Sequence, residues 1–158
     1  MKAASVHELK DELQQLPTKQ LVELCLRLSR FKKENKELLT YLLFEAHDLP
    51  GYITLVKQQM DEAFEALNTS QIFLAKKTIR KTLRIANKHV RFTGSKQSEV
   101  ELLIHFCTLL KGSGIQLQKS TAMLNLYNQQ LKKVRKALES MHEEEQYDYV
   151  RVVEKLER

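Results

Sequence analysis

Seven cations recur at helical spacing in the middle of this chain: Lys76, Lys77, Arg80, Lys81, Arg84, Lys88 and Arg91. Ammonium and guanidinium groups three and four residues apart need no cofactor to do one kind of chemistry, which is to neutralise a row of phosphates or carboxylates on a partner. At 100° per residue all seven fall within an arc of about 140°. No Asp or Glu interrupts the window between Glu65 and Glu99. Neighbouring cations on such a face repel each other by about 0.2–0.5 kcal/mol per pair unless an anion screens them. These seven are the candidate residues for binding an acidic partner, protein or nucleic acid. A second basic group, Lys132, Lys133, Arg135 and Lys136, lies further on.

The same wheel places Ile72, Ala75, Ile79, Leu83, Ala86 and Val90 in one apolar band and Leu74, Ile85 and Phe92 in another. A helix packed on two sides and open on the third is expected. No aromatic side chain is read as interleaving with the cations, which removes the base-stacking platform of single-strand binders.

Other constellations are weaker. Glu139-Ser140-Met141-His142 has the i,i+3 spacing of di-iron carboxylate bundles, but no second Glu-x-x-His accompanies it, and Glu101 with His105 is spaced i,i+4. His105 and Cys107 are two residues apart and point to different sides of a helix, so they do not form a local nucleophile and base. Gly112-Ser113-Gly114 lacks the Lys and the preceding strand of a phosphate-binding loop. No metal, cofactor or catalytic residue is assigned, and an enzyme of unrecognised type stands third among the functional readings.

The formal net charge of +6 is unevenly shared: residues 1–65 hold 9 Lys+Arg against 11 Asp+Glu, residues 66–138 hold 14 against 2, and residues 139–158 hold 3 against 7. The middle block can meet an acidic partner, be answered by Glu143-Glu144-Glu145 with Asp148, or stay a solvated face. Two cysteines, Cys25 and Cys107, sit in apolar surroundings and are expected to be reduced and buried. With no apolar run of about 18 residues and no apolar leader after Met1, a cytoplasmic protein without membrane contact is expected.

The elements that must position these residues are helices. Four Gly and two Pro in 158 residues are few. Ser5 and Glu8 have capping-box spacing before Leu9, Leu13 and Leu16, and Pro17 ends that helix. A second helix from Thr18 breaks near Phe31-Lys32-Lys33, and a third on Leu38, Leu39, Leu42 and Leu43 is closed by Pro50-Gly51. A fourth runs from about Tyr52 to Leu67, a fifth to about Phe92, and a sixth lies between Ser95 and Gly112. The longest is placed at roughly Ile115 to His142. The fold expected is all-α, a single domain over 1–158 with about seven helices packed as antiparallel pairs, or a short α-solenoid. Residues 143–158 form an acidic C-terminal segment with scope for mobility. Glu37–Leu42 and Glu101–Phe106 share a pattern, which chance similarity of leucine-rich helices explains best.

Leu9-Lys10-Asp11-Glu12-Leu13, the Lys- and Glu-rich second and third helices, and Ala75-Lys76-Lys77-Thr78-Ile79 resemble small bacterial all-helical proteins of unknown function over the first half of the chain. That resemblance implies an all-helical fold and no activity. The run from Val6 to Pro17 with Leu21 and Leu24 is faintly similar to the SAP module, a DNA-binding helix-turn-helix, over about forty residues, but it lacks that module's central Gly and carries no function over. The leading reading is a non-enzymatic interaction protein using the basic helix face, the second a nucleic-acid-binding accessory protein using the same face. Homo-oligomerisation is left open.

Overall fold

In a computed structural model covering residues 1–158, the chain contains eight α-helices, one π-helical turn, one 3-10 turn and no strand. It divides into two compact units, residues 1–45 and residues 46–158, where the sequence was read as one domain.

The first unit holds α1 (Val6–Gln14), α2 (Thr18–Phe31), α3 (Lys33–Thr40) and a π-helical turn over Tyr41–Glu45. The capping box at the start of α1 forms as expected: Glu8 N–H donates to Ser5 Oγ at 3.3 Å, and Ser5 N–H donates to Glu8 Oε2 at 2.7 Å. Lys32, extended at φ −141° and ψ 143°, separates α2 from α3. Those two helices pack together, and Asn35 Nδ2 donates to the Leu28 carbonyl at 2.9 Å. Tyr41 is the unit's one buried residue.

The second unit holds α4 (Leu49–Glu65), α5 (Ile72–Thr93), α6 (Lys96–Gly112), a 3-10 turn over Leu117–Lys119, α7 (Thr121–Glu139) and α8 (Glu143–Glu157). Helix α6 is its centre. Val100, Leu102, Leu103, Phe106, Cys107 and Leu110 are all buried, and α6 packs against α4, α5, α7 and α8. Helices α4 and α5, α5 and α6, α6 and α7, and α7 and α8 also pack in chain order, so the unit is built from successive helix pairs around one core.

Several boundaries differ from the sequence reading. Pro50-Gly51 opens a helix rather than closing one. Asp48 is the N-cap, its Oδ1 accepting from Gly51 N–H at 3.0 Å, and proline is tolerated in a first turn whose amide has no helical partner. Helix α5, not α7, is longest, because Ser120 caps α7 with its side chain at Met123 N–H and the helix does not start at Ile115. That later helix ends at Glu139, with Ser140 as its C-cap. Residues 143–158 are helical and packed. Val153 and Leu156 are buried, Tyr127 Oη donates to the Leu156 carbonyl at 2.7 Å, and Arg135 grips Glu157 through two hydrogen bonds of 2.8 and 2.5 Å. Lys111 Nζ caps the end of α8 at the Lys155 carbonyl, 2.7 Å away. The acidic run Glu143-Glu144-Glu145 occupies the first turn of α8, where the helix dipole favours negative charge. Both thiols are free, yet only Cys107 is buried; Cys25 is exposed.

Candidate polyanion-binding face

Helix α5 forms because its apolar residues recur at helical spacing, and it ends where Gly94 takes the left-handed conformation at φ 59°. Ala75, Ile79, Thr82 and Ala86 are fully buried against neighbouring helices, while Leu83 and Val90 are half-buried and Ile72 is exposed. In the second apolar band Ile85 and Phe92 are half-buried and Leu74 is exposed. The helix is thus anchored along most of its length and bare at its N-terminal end.

Of the seven cations, Lys77, Arg80, Lys81, Arg84 and Arg91 are exposed, and Lys76 and Lys88 are half-exposed. They divide into two groups. Lys88 and Arg91 are engaged by other groups of the chain, Lys88 Nζ also standing 6.0 Å over the Phe92 ring. Lys76, Lys77, Arg80, Lys81 and Arg84 have no carboxylate within ion-pair distance. They span about 12 Å of helix. The acidic segment does not answer them, since α8 packs on α6 and α7 and its Glu157 is bound to Arg135.

The α7 cluster is thinned by that same pair. Arg135 is held by Glu157, which leaves Lys132 and Lys136 on the wall of an 860 Å³ groove with Asn125, Asn128 and Gln129. Near the start of α5, Lys76 shares a 610 Å³ cleft with Lys119, Gln116, Ser120 and Thr69. Lys119 was not among the candidate residues, because only the folding of the α6–α7 connection brings it beside Lys76.

Phe73 corrects the reading that no aromatic stands on the basic arc. Counted on the wheel it lies about 60° from Lys76, in the middle of the arc, one turn before Lys76 and Lys77. It is 78% exposed. The signal is present in the sequence, as the three- and four-residue spacing of Phe73 from Lys76 and Lys77.

Several other titratable groups are tied into structure. Glu101 on α6 accepts from Lys57 of α4 at 2.7 Å, from Gln97 at 3.0 Å and from Tyr149 of α8 at 3.0 Å. Burial pushes its carboxyl up, but these donors outweigh burial and hold it below the usual carboxylate range. Burial pushes the Cys107 thiol up to about 12, which leaves it a poor nucleophile. His105 pairs with Asp61 at 2.6 Å, and Tyr52 Oη meets His89 Nδ1 at 2.5 Å. Glu139 ends α7 while His142 is the N-cap of α8, so the Glu-x-x-His spacing falls across a helix break. No group of three or more His, Cys, Asp or Glu side chains converges as a metal site would require.

No protein family, curated protein or solved structure matches the chain. No helix is long and apolar enough to cross a membrane.

Proposed function

We propose that this protein is a non-enzymatic helical interaction protein that binds single-stranded nucleic acid through the N-terminal half of α5. One observation carries the reading: five unpaired cations and an exposed phenylalanine share one face of a helix whose opposite face is buried. Lys76, Lys77, Arg80, Lys81 and Arg84 would neutralise successive phosphates, each displacing a condensed counterion. Phe73 would stack on an unpaired base, which a duplex does not offer. A second reading, an acidic protein segment, draws on Ile72 and Leu74, which flank Phe73 and are also exposed.

Anisotropy of a labelled single-stranded oligonucleotide, followed across salt concentration, separates these. Five phosphate contacts give a slope of about −3.5 in log K against log salt. Converting Lys77, Arg80 and Arg84 together to Glu should abolish both this binding and retention on heparin. Phe73→Ala should weaken the oligonucleotide by about 1–3 kcal/mol and leave heparin retention unchanged. Absence of binding to either polyanion at low ionic strength overturns the proposal. An oligonucleotide affinity that the triple change removes and Phe73→Ala leaves untouched would mean phosphate contact without base stacking, and overturns the single-strand reading.

A further inference from the structure

Residues 1–45 have helices but almost no interior. Of the eighteen large apolar residues left exposed in the whole chain, twelve lie in this unit, against one buried residue. A unit of this size is close to the limit at which a chain can stabilise itself without a metal, a disulfide or an oligomeric partner.

The distribution on α2 is more specific. With Leu21 at zero on the wheel, Leu28, Leu21 and Cys25 point in one direction, Leu24 and Phe31 lie about 70° to one side, and Val22 and Leu26 lie about 120° to the other. Lys19, Gln20, Glu23, Arg27 and Arg30 form a polar strip about 100° wide, and Thr18 and Ser29 stand between Cys25 and Val22. Leu24 and Phe31 lie on the opposite side of Leu21 and Leu28 from Val22 and Leu26, so the apolar arc is wider than one neighbouring helix buries. Helix α3 covers only one sector, on the side of a 270 Å³ groove lined by Cys25, Leu28, Leu38, Leu39 and Leu42. Leu24 is 38% exposed and Phe31 77%.

The exposed area is large enough to hold an interface. The chain exposes 11331 Å². A compact monomer of 18.5 kDa exposes about 8,200 Å², and two separate compact bodies of 45 and 113 residues together expose about 9,700 Å². Even against the second figure the surplus is about 1,600 Å², which is one protomer's side of an obligate homodimer interface. The unit's charge is compatible with pairing to itself, since 8 Lys+Arg stand against 7 Asp+Glu in residues 1–45. A strongly acidic or basic partner would find little to answer there.

We infer that residues 1–45 are a self-association module, and that a second copy of this chain packs its own α2 and α3 against the Leu24/Phe31 side of α2. Two such hairpins would complete a four-helix bundle. The protein is then a dimer that carries two copies of the α5 face.

Sedimentation of the full chain should give a species of about 37 kDa, twice the chain mass, at micromolar concentration. The double change Leu24→Glu and Phe31→Glu should return it to 18.5 kDa with helical circular dichroism and heparin retention kept. Arg27→Glu, on the polar strip, should leave the dimer intact and shows that the effect is not one of added negative charge. A monomer at all concentrations up to several hundred micromolar overturns the inference. So does a dimer that survives the double change, or a double variant that loses the helicity of the whole chain. Because mass and polyanion retention are read separately, failure of the self-association leaves the α5 proposal standing, and failure of the latter leaves this one.

Discussion

Glu101 shows how much of the second unit depends on one side chain. Its carboxylate joins α4, α6 and α8 by accepting from Lys57, Gln97 and Tyr149, with its side chain mostly withdrawn from solvent. Replacing it with Ala leaves an ammonium and a phenol without their acceptor, and the expected cost is about 1–3 kcal/mol in urea denaturation. The pH dependence has a definite sign. The carboxyl is held below its ordinary value of 4.5 in the folded chain, so its contribution is complete above that value and is lost as pH falls through the lower folded value. Acid titration followed by circular dichroism should therefore show Glu101→Gln less stable than the parent at pH 7, the two converging at acid pH. The Tyr149 phenol, pushed up to about 12 by burial and by Glu101, stays a donor throughout that range. Phe73 teaches the complementary lesson about single residues. Its position on the basic arc was fixed by arithmetic on the sequence, whereas the meeting of Lys76 and Lys119 depends on a loop path that no local pattern encodes.

Among the helices, α8 is the element whose role changes most on folding. The sequence marks it as an acidic segment, and its charge alone suggests an answer to the basic face; its apolar content is what docks it. Val153 has no exposed surface, and Leu156 is nearly buried beside Tyr127. Val153→Ala and Leu156→Ala are expected to cost about 1–4 kcal/mol each by thermal or urea denaturation, with little effect on polyanion binding. Ile79→Ala, on the buried side of α5, should cost about 2–5 kcal/mol. Leucine and isoleucine periodicity made the existence of α2, α4, α5 and α6 legible, because amphipathic spacing follows directly from burial on one side. Breakers were less informative about direction. Pro50-Gly51 marks a helix boundary but not which side of it the helix lies on, and only the Asp48 cap decides that. The all-helical class was therefore readable, while the start of α7 and the packing of α8 required the tertiary contacts.

At the level of the whole chain, the two units should differ in how firmly they hold their amides. Helix α6 packs against four others and its buried residues are almost wholly withdrawn from solvent, so its amides should exchange slowest. Those of α1 to α3 should exchange quickly in dilute solution and slow as the concentration rises, which is the behaviour of a fold completed by association. The connection at Ala46-His47-Asp48 is exposed and should be the first site of limited proteolysis.

That connection bears on how such a chain can be assembled by recombination. The cap of α4 is written entirely within Asp48 to Gly51, and a β-carbon at Gly51 would lie 2.2 Å from Asp48 Oδ2, so the glycine leaves room for the carboxylate that starts the helix. The usual gain of about 1 kcal/mol on replacing a helical Gly with Ala is set here against loss of a cap worth about the same. The start signal of the second unit thus travels with residues 48–51 rather than with the first. A gene fusion joined at Ala46 or His47 would keep the start of α4 intact whatever module preceded it.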